Sequence, residues 1–101
     1  MVKVKFISLK KADDRIHKYV VSLFNEETGR INNIKFGAFG MNDYTLTGDI
    51  SAKQRYEARH ASREDWTKNG VLTKGFWSKW ILWNKPNINE SLFNVIKLFN
   101  L

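Results

Sequence analysis

The sequence predicts an α+β domain: an N-terminal three-stranded antiparallel meander followed by three short helices packed on one face. Three observations lead there. Apolar residues alternate with polar ones over residues 2–37, the period of half-buried strands. From Ile50 onward they recur at spacings of three and four, the period of helices. Glycines at Gly37 and Gly40 mark the change between the two regimes. Residues 1–101 therefore read as a single domain, with the meander in 1–40 and a helical part in 41–101. At 43% hydrophobic and 14% aromatic, the chain can build a small core in which buried rings compensate for size.

Taken in order, Val2, Val4 and Phe6 alternate with Lys3 and Lys5 in a first strand, and Leu9 to Asp14 reads as a turn. Ile16 to Phe24 is a second strand with Tyr19, Val21 and Leu23 on one face. Asn25 to Arg30 is a hairpin loop in which Gly29 supplies the positive-φ position. Ile34 and Phe36 carry the third strand. Ile31 is out of phase with them, which predicts a bulge or a late strand start there. Phe36 to Gly40 reads as a strand ending in a tight bend, since a phosphate-binding loop would need a third glycine and a following Lys-Ser/Thr.

Met41 to Gly48 reads as a connector, with Asp43-Tyr44-Thr45 suited to a turn in which the carboxylate accepts from downstream amides. Asp49 or Ser51 caps a helix of about residues 50–65, Ser51 and Gln54 having capping-box spacing. Trp66 closes it, and Thr67 to Gly70 is a loop. Thr73 caps a helix over residues 74–83, where Gly75 predicts a close backbone approach. Phe76, Trp80 and Trp83 form one stripe of that helix, and Trp77 with Ile81 the next. Such a wide apolar arc belongs to a central core element or leaves one aromatic face for a partner. Asn84-Lys85-Pro86 stops it. Asn87 caps the last helix, with Glu90 at the third position and Leu92, Val95, Ile96 and Phe99 on its apolar stripe.

Composition excludes several functions. Without cysteine there is no disulfide framework, thiol nucleophile or cysteine-based zinc site. No apolar run approaches the ~18–20 residues of a membrane span, and Met1 to Lys11 lacks a signal-peptide core. A cytosolic, unsecreted protein without a membrane partner is expected. No metal-ligand spacing, carboxylate pair or nucleophile beside a base is present, so neither catalysis nor a cofactor is expected. A net charge of +7, from 17 basic against 10 acidic residues, favours polyanions. Residues 42–70, however, carry five of each sign.

Tyr56, Arg59, His60 and Arg63 share one helical face. The arginines could grip phosphate in bidentate geometry. Alternatively their stems cover aromatic rings while their heads pair with Asp43, Asp49 or Glu64. The candidate phosphate-binding set is Arg55, Arg59, His60, Arg63, Lys68, Lys74, Lys79 and Lys85. Tyr56, Trp77 and Trp83 are the candidate aromatic contacts.

The stretch from Phe36 to Ser91 resembles a family of small, functionally uncharacterised proteins of large eukaryotic DNA viruses, such as chloroviruses and mimiviruses. The residues that carry it are Gly40, Asp43-Tyr44-Thr45, Arg55-Tyr56, Arg59-His60, Arg63-Glu64, Trp66-Thr67, Gly70, Thr73, Gly75-Phe76-Trp77-Ser78 and Leu82-Trp83-Asn84-Lys85-Pro86. Leu46-Thr47-Gly48 departs from the pattern, and the N-terminal hairpin matches only in type. The resemblance implies a viral protein of the host cytoplasm or viral factory, or of the virion itself, and carries no activity with it. Two functions then compete. One is nucleic-acid binding through phosphate contacts and aromatic stacking. The other is a virion structural or minor capsid (cement) role, in which the aromatic helix docks on other virion proteins or on a second copy.

Overall fold

The computed structural model describes residues 2–101. Strands β1 (Val4–Lys11), β2 (His17–Asn25) and β3 (Arg30–Ala38) form one antiparallel sheet in the order β1-β2-β3. The inner face follows from alternation: Val4, Val21, Leu23, Ile34 and Phe36 are buried against the helices, with Phe6, Leu9 and Tyr19 at their margin.

Two expectations about the strands are corrected. The irregularity lies in β1, where Phe6 pairs with Leu23 but Ser8 with Ser22, leaving Ile7 as the extra residue. The spacing from Phe6 to Leu9 is odd, so only an inserted residue can turn both inward. In β3 there is no such break: Arg30 pairs with Asn25 and Ile31 with Phe24, so Ile31 simply faces the other side. Leu9 to Lys11 also remain strand, because Leu9, Lys10 and Lys11 pair with Val21, Val20 and Tyr19.

Side chains that mimic backbone acceptors close both turns. Asp14 Oδ1 accepts from the amides of Ile16 and His17, and its Oδ2 meets His17 Nδ1 at 2.8 Å and Lys35 Nζ at 3.4 Å. These bonds, led by the His17 amide, hold the Asp14 carboxyl well below its ordinary value. In the second turn Asn25 Oδ1 accepts from Glu27, and Gly29 takes φ +72°.

Asp43 starts α1 (Tyr44–Thr47), accepting from the Thr45 amide at 2.8 Å and from its hydroxyl. It is also ion-paired with Lys18 of β2, tying the connector to the sheet. Asp49, not Ser51, caps α2 (Ile50–His60), taking both the Ser51 and Ala52 amides. The helix ends before the expected residue 65: Ala61 to Arg63 turn, and the chain folds back so that Glu64 reaches Gly75. A 3₁₀ turn, Lys68–Gly70, follows.

Thr73 caps α3 (Lys74–Trp77), which runs on as a π-turn over Ser78–Leu82 instead of a regular helix to residue 83. The buried residues Phe76, Trp77, Ile81 and Leu82 stand at i, i+1, i+5 and i+6, the spacing that an i→i+5 turn brings to one side. Trp77 meets Phe36 of β3, while Phe76 and Trp80 pack edge-on against Phe99 of α4 (Ile88–Phe99). Asn87 caps α4 through the Glu90 amide at 3.1 Å.

Two glycines give a stability contrast. A Cβ on Gly70 would lie 1.9 Å from the Asp65 carbonyl oxygen, whereas one on Gly75 would meet only the Glu64 carboxylate end, at 2.6 Å. In chemical denaturation Gly70→Ala is expected to cost about 3 kcal/mol or more, because backbone must move. Gly75→Ala should stay within about 1 kcal/mol of the unmodified protein, the gain in helix propensity offsetting the displaced side chain.

Asp14 gives a pH effect. Its folded-state pKa is depressed, so its stabilisation is complete above the ordinary value of 3.8 and is lost as pH falls below that. Asp14→Asn should be less stable than the unmodified protein at neutral pH and should lose less stability on acidification below 3.8.

Candidate nucleic-acid interface

Helix α2 presents two different faces. Tyr56 is buried, its ring stacked on Trp83 at 4.7 Å and on His60 at 4.3 Å. Burial, and then the Glu64 charge, raise the Tyr56 phenol above its ordinary pKa. Glu64 lies against the Cβ-less Gly75 and receives His60 Nδ1 at 3.4 Å and the Trp66 indole N–H at 3.1 Å. The close approach expected at Gly75 is thus made by a carboxylate. Burial within this cluster corrects the assignment of Tyr56 as a base contact, whereas His60 is half-buried at its edge.

Arg55 and Arg59 of α2, and Arg63 in the turn that follows, stay outside this cluster. All three are exposed, stand at i, i+4 and i+8, and take part in none of the ion pairs among the described residues. Arg63 Nη2 donates to the Arg59 main-chain carbonyl at 3.3 Å, which ties the Arg63 guanidinium to the last turn of α2. The expected pairing with Asp43, Asp49 or Glu64 does not form, because every acid of residues 42–70 is engaged elsewhere. Asp43 serves Lys18 and Thr45, Asp49 the α2 cap, and Glu57 Lys79. Glu64 serves His60 and Trp66, and Asp65 accepts from Thr67.

The lysines divide in the same way. Lys79 is 7% exposed, with Nζ 2.8 Å from Glu57 and over the rings of Trp80 and Trp66 at 4.8 and 5.5 Å. It is a structural cation, and its place in the phosphate-binding set is withdrawn. Lys74 and Lys85 are exposed and Lys68 is half-buried; none of the three joins an ion pair among the described residues. Trp77 is also corrected: it is fully buried and donates its indole N–H to the Val71 carbonyl at 2.7 Å. Trp83 is half-buried with its ring stacked on Tyr56.

A cleft of about 580 Å³ separates the β2–β3 end of the sheet from the helical layer. Its polar groups include the Lys18–Asp43 and His60–Glu64 pairs, and Lys74 is the unpaired cation on its wall. No group of three or more His, Asp or Glu among the described residues could hold a metal ion, and no helix is long and apolar enough to cross a membrane.

The outer face of the sheet went unremarked in the sequence. Strand register places Lys5, Phe24 and Ile31 in one row across it and Lys10, Val20 and Lys35 in another. Ser8, Ser22 and Asn33 lie between them, with Ser22 Oγ donating to Asn33 Oδ1 at 2.6 Å. An aromatic in the solvent phase of a strand and three strands without a single acidic residue were the signals available.

The division among the lysines has a test. Lys79→Ala is expected to lose about 1–3 kcal/mol in denaturant titration, through lost stem packing and an unpartnered Glu57.

The model of the family of unknown function DUF5754 matches residues 7–60, from the β1 bulge to the end of α2. No curated protein and no solved structure matches the chain. The matched stretch contains the meander, the Lys18–Asp43 tie and the Tyr56–His60 stack, while the tryptophan-rich turn lies beyond it. Spanning just over half of the 101 residues, the match shows that this chain belongs to the DUF5754 family.

Proposed function

We propose that this protein binds nucleic acid without catalysis, gripping the phosphate backbone through Arg55, Arg59 and Arg63. The observation that carries this is the arginine stripe itself, exposed and free of carboxylate partners. An even count of charges in residues 42–70 had weighed against polyanion binding. None of the five acids of that segment pairs with the stripe among the described residues, so its three guanidinium groups are free to take phosphate partners. Lys68, Lys74 and Lys85 add to it. Such contacts carry no sequence information and make binding steeply salt-dependent. The resemblance to proteins of large DNA viruses makes viral nucleic acid the natural target.

A virion structural role is the second reading. The aromatic turn that was to dock is core, but Phe93 at 73% and Leu98 at 56% exposure leave apolar surface on α4 for a protein partner. A monomer in solution that is absent from purified particles would remove it.

Titration of labelled DNA and RNA at two salt concentrations tests the nucleic-acid reading. Affinity should fall as salt rises, and Arg55→Ala/Arg59→Ala/Arg63→Ala should lower the salt slope by roughly one per arginine. Absence of binding at low salt, or a triple variant indistinguishable from the unmodified protein, overturns it.

A further inference from the structure

We propose that the uncovered outer face of the sheet is a platform for single-stranded nucleic acid, with Phe24 stacking on a base and Lys5, Lys10 and Lys35 holding the flanking phosphates. This site lies on different elements from the arginine stripe, and either can fail without the other. The helices pack on the inner face, and Lys5, Lys10, Phe24, Ile31, Asn33 and Lys35 of the outer face are exposed.

Its chemistry is unusually one-sided. Strands β1 to β3 contain Lys5, Lys10, Lys11, Lys18, Arg30 and Lys35 and neither Asp nor Glu. The carboxylate that reaches a lysine of the outer face is Asp14, at 3.4 Å from Lys35 Nζ. Phe24 is 39% exposed on the central strand, flanked in register by Lys5 and by Ile31, itself 58% exposed. A face with an exposed aromatic beside Lys5, the Ser8, Ser22 and Asn33 row next to it and Lys10 and Lys35 in the row beyond offers each part of a nucleotide a partner.

Other occupants fit less well. A second copy would set lysines against lysines, and an apolar protein surface would desolvate them without compensation. A duplex would use the lysines but leave Phe24 idle, since its bases are already stacked on one another. Only an unpaired strand employs both the ring and the charges.

The test is fluorescence anisotropy with labelled oligo(dT) and oligo(U) of about 12 nucleotides, within the usual single-strand site size, and with a duplex of equal length. Phe24→Ala should weaken single-strand binding roughly 5- to 100-fold and leave duplex binding unchanged. Phe24→Leu keeps apolar volume but removes the aromatic ring, and should show the same selective loss. Loss with both oligonucleotides, or with one of them, supports the platform; the second result also assigns the sugar it prefers. The four tryptophans, none of them on the sheet, report whether each variant is folded.

Unchanged single-strand affinity in both Phe24 variants, or an equal loss on duplex, overturns the platform. So does a dimer of the unmodified protein that either Phe24 substitution dissolves. If the Phe24 variants lose nothing and the triple arginine variant loses affinity, the platform falls and the arginine reading stands. The converse result separates them the other way, and no binding to any probe at low salt removes both.

Discussion

The helical half of this protein depends on the burial of one turn, Phe76 to Leu82, against the inner face of the sheet. Trp77 and Phe76 are wholly enclosed. A ring of that size removes about 150–250 Å² from water, worth about 4–6 kcal/mol of gross transfer energy. Set against a net stability on the order of 5–15 kcal/mol, either ring is indispensable. The indole N–H groups extend the effect beyond packing. Trp77 binds the Val71 carbonyl and Trp80 the Trp66 carbonyl, so two donors on the turn pin the irregular chain between α2 and α3. That chain in turn carries Glu64 to His60, and the α2 surface acquires its orientation from a turn remote in sequence.

The same organisation sorts the charges. Charge tallies along a sequence treat neighbours as neutralising one another, but in space the acids of residues 42–70 cap helices, hold Lys18 and Lys79, or brace aromatic N–H groups. Surface cations are then left without direct carboxylate partners in that segment, among the described residues. Lys53 shows the inward alternative: burial, and next the nearby Lys79 charge, lower its pKa, and its ammonium donates to the Asn84 carbonyl at 2.8 Å.

What the sequence disclosed was local. Asp43, Thr73 and Asn87 were identifiable as caps because their partners lie two or three residues away. The antiparallel meander was legible because Tyr19, Val21 and Leu23 alternate without interruption. The roles of Trp77 and Lys79 were not legible. A helix of 3.6 residues per turn puts Phe76, Trp80 and Trp83 together, whereas the π-turn aligns Phe76 with Ile81 and Trp77 with Leu82, and nothing in the spacing announces which will win. The Ile7 bulge was visible in the Phe6–Leu9 phase but was placed at Ile31, whose side chain faces outward in an unbroken strand. Of the α2 face, Arg59 and Arg63 are exposed, and neither pairs with Asp43, Asp49 or Glu64. Tyr56 is buried, and its stacking partners Trp66 and Trp83 cannot be seen from helical periodicity.

The topology of the sheet also sets an order of events. Each strand pairs with its neighbour in sequence, across turns of a few residues, so the loop-closure cost of the meander is small. The contacts that complete the core, such as Phe36 to Trp77, span some forty residues and close late. The apolar side of the sheet therefore stays bare until the helical half closes over it. The lysines of its edge strands β1 and β3, together with the kink at Ile7, discourage edge-to-edge pairing with other chains during that interval.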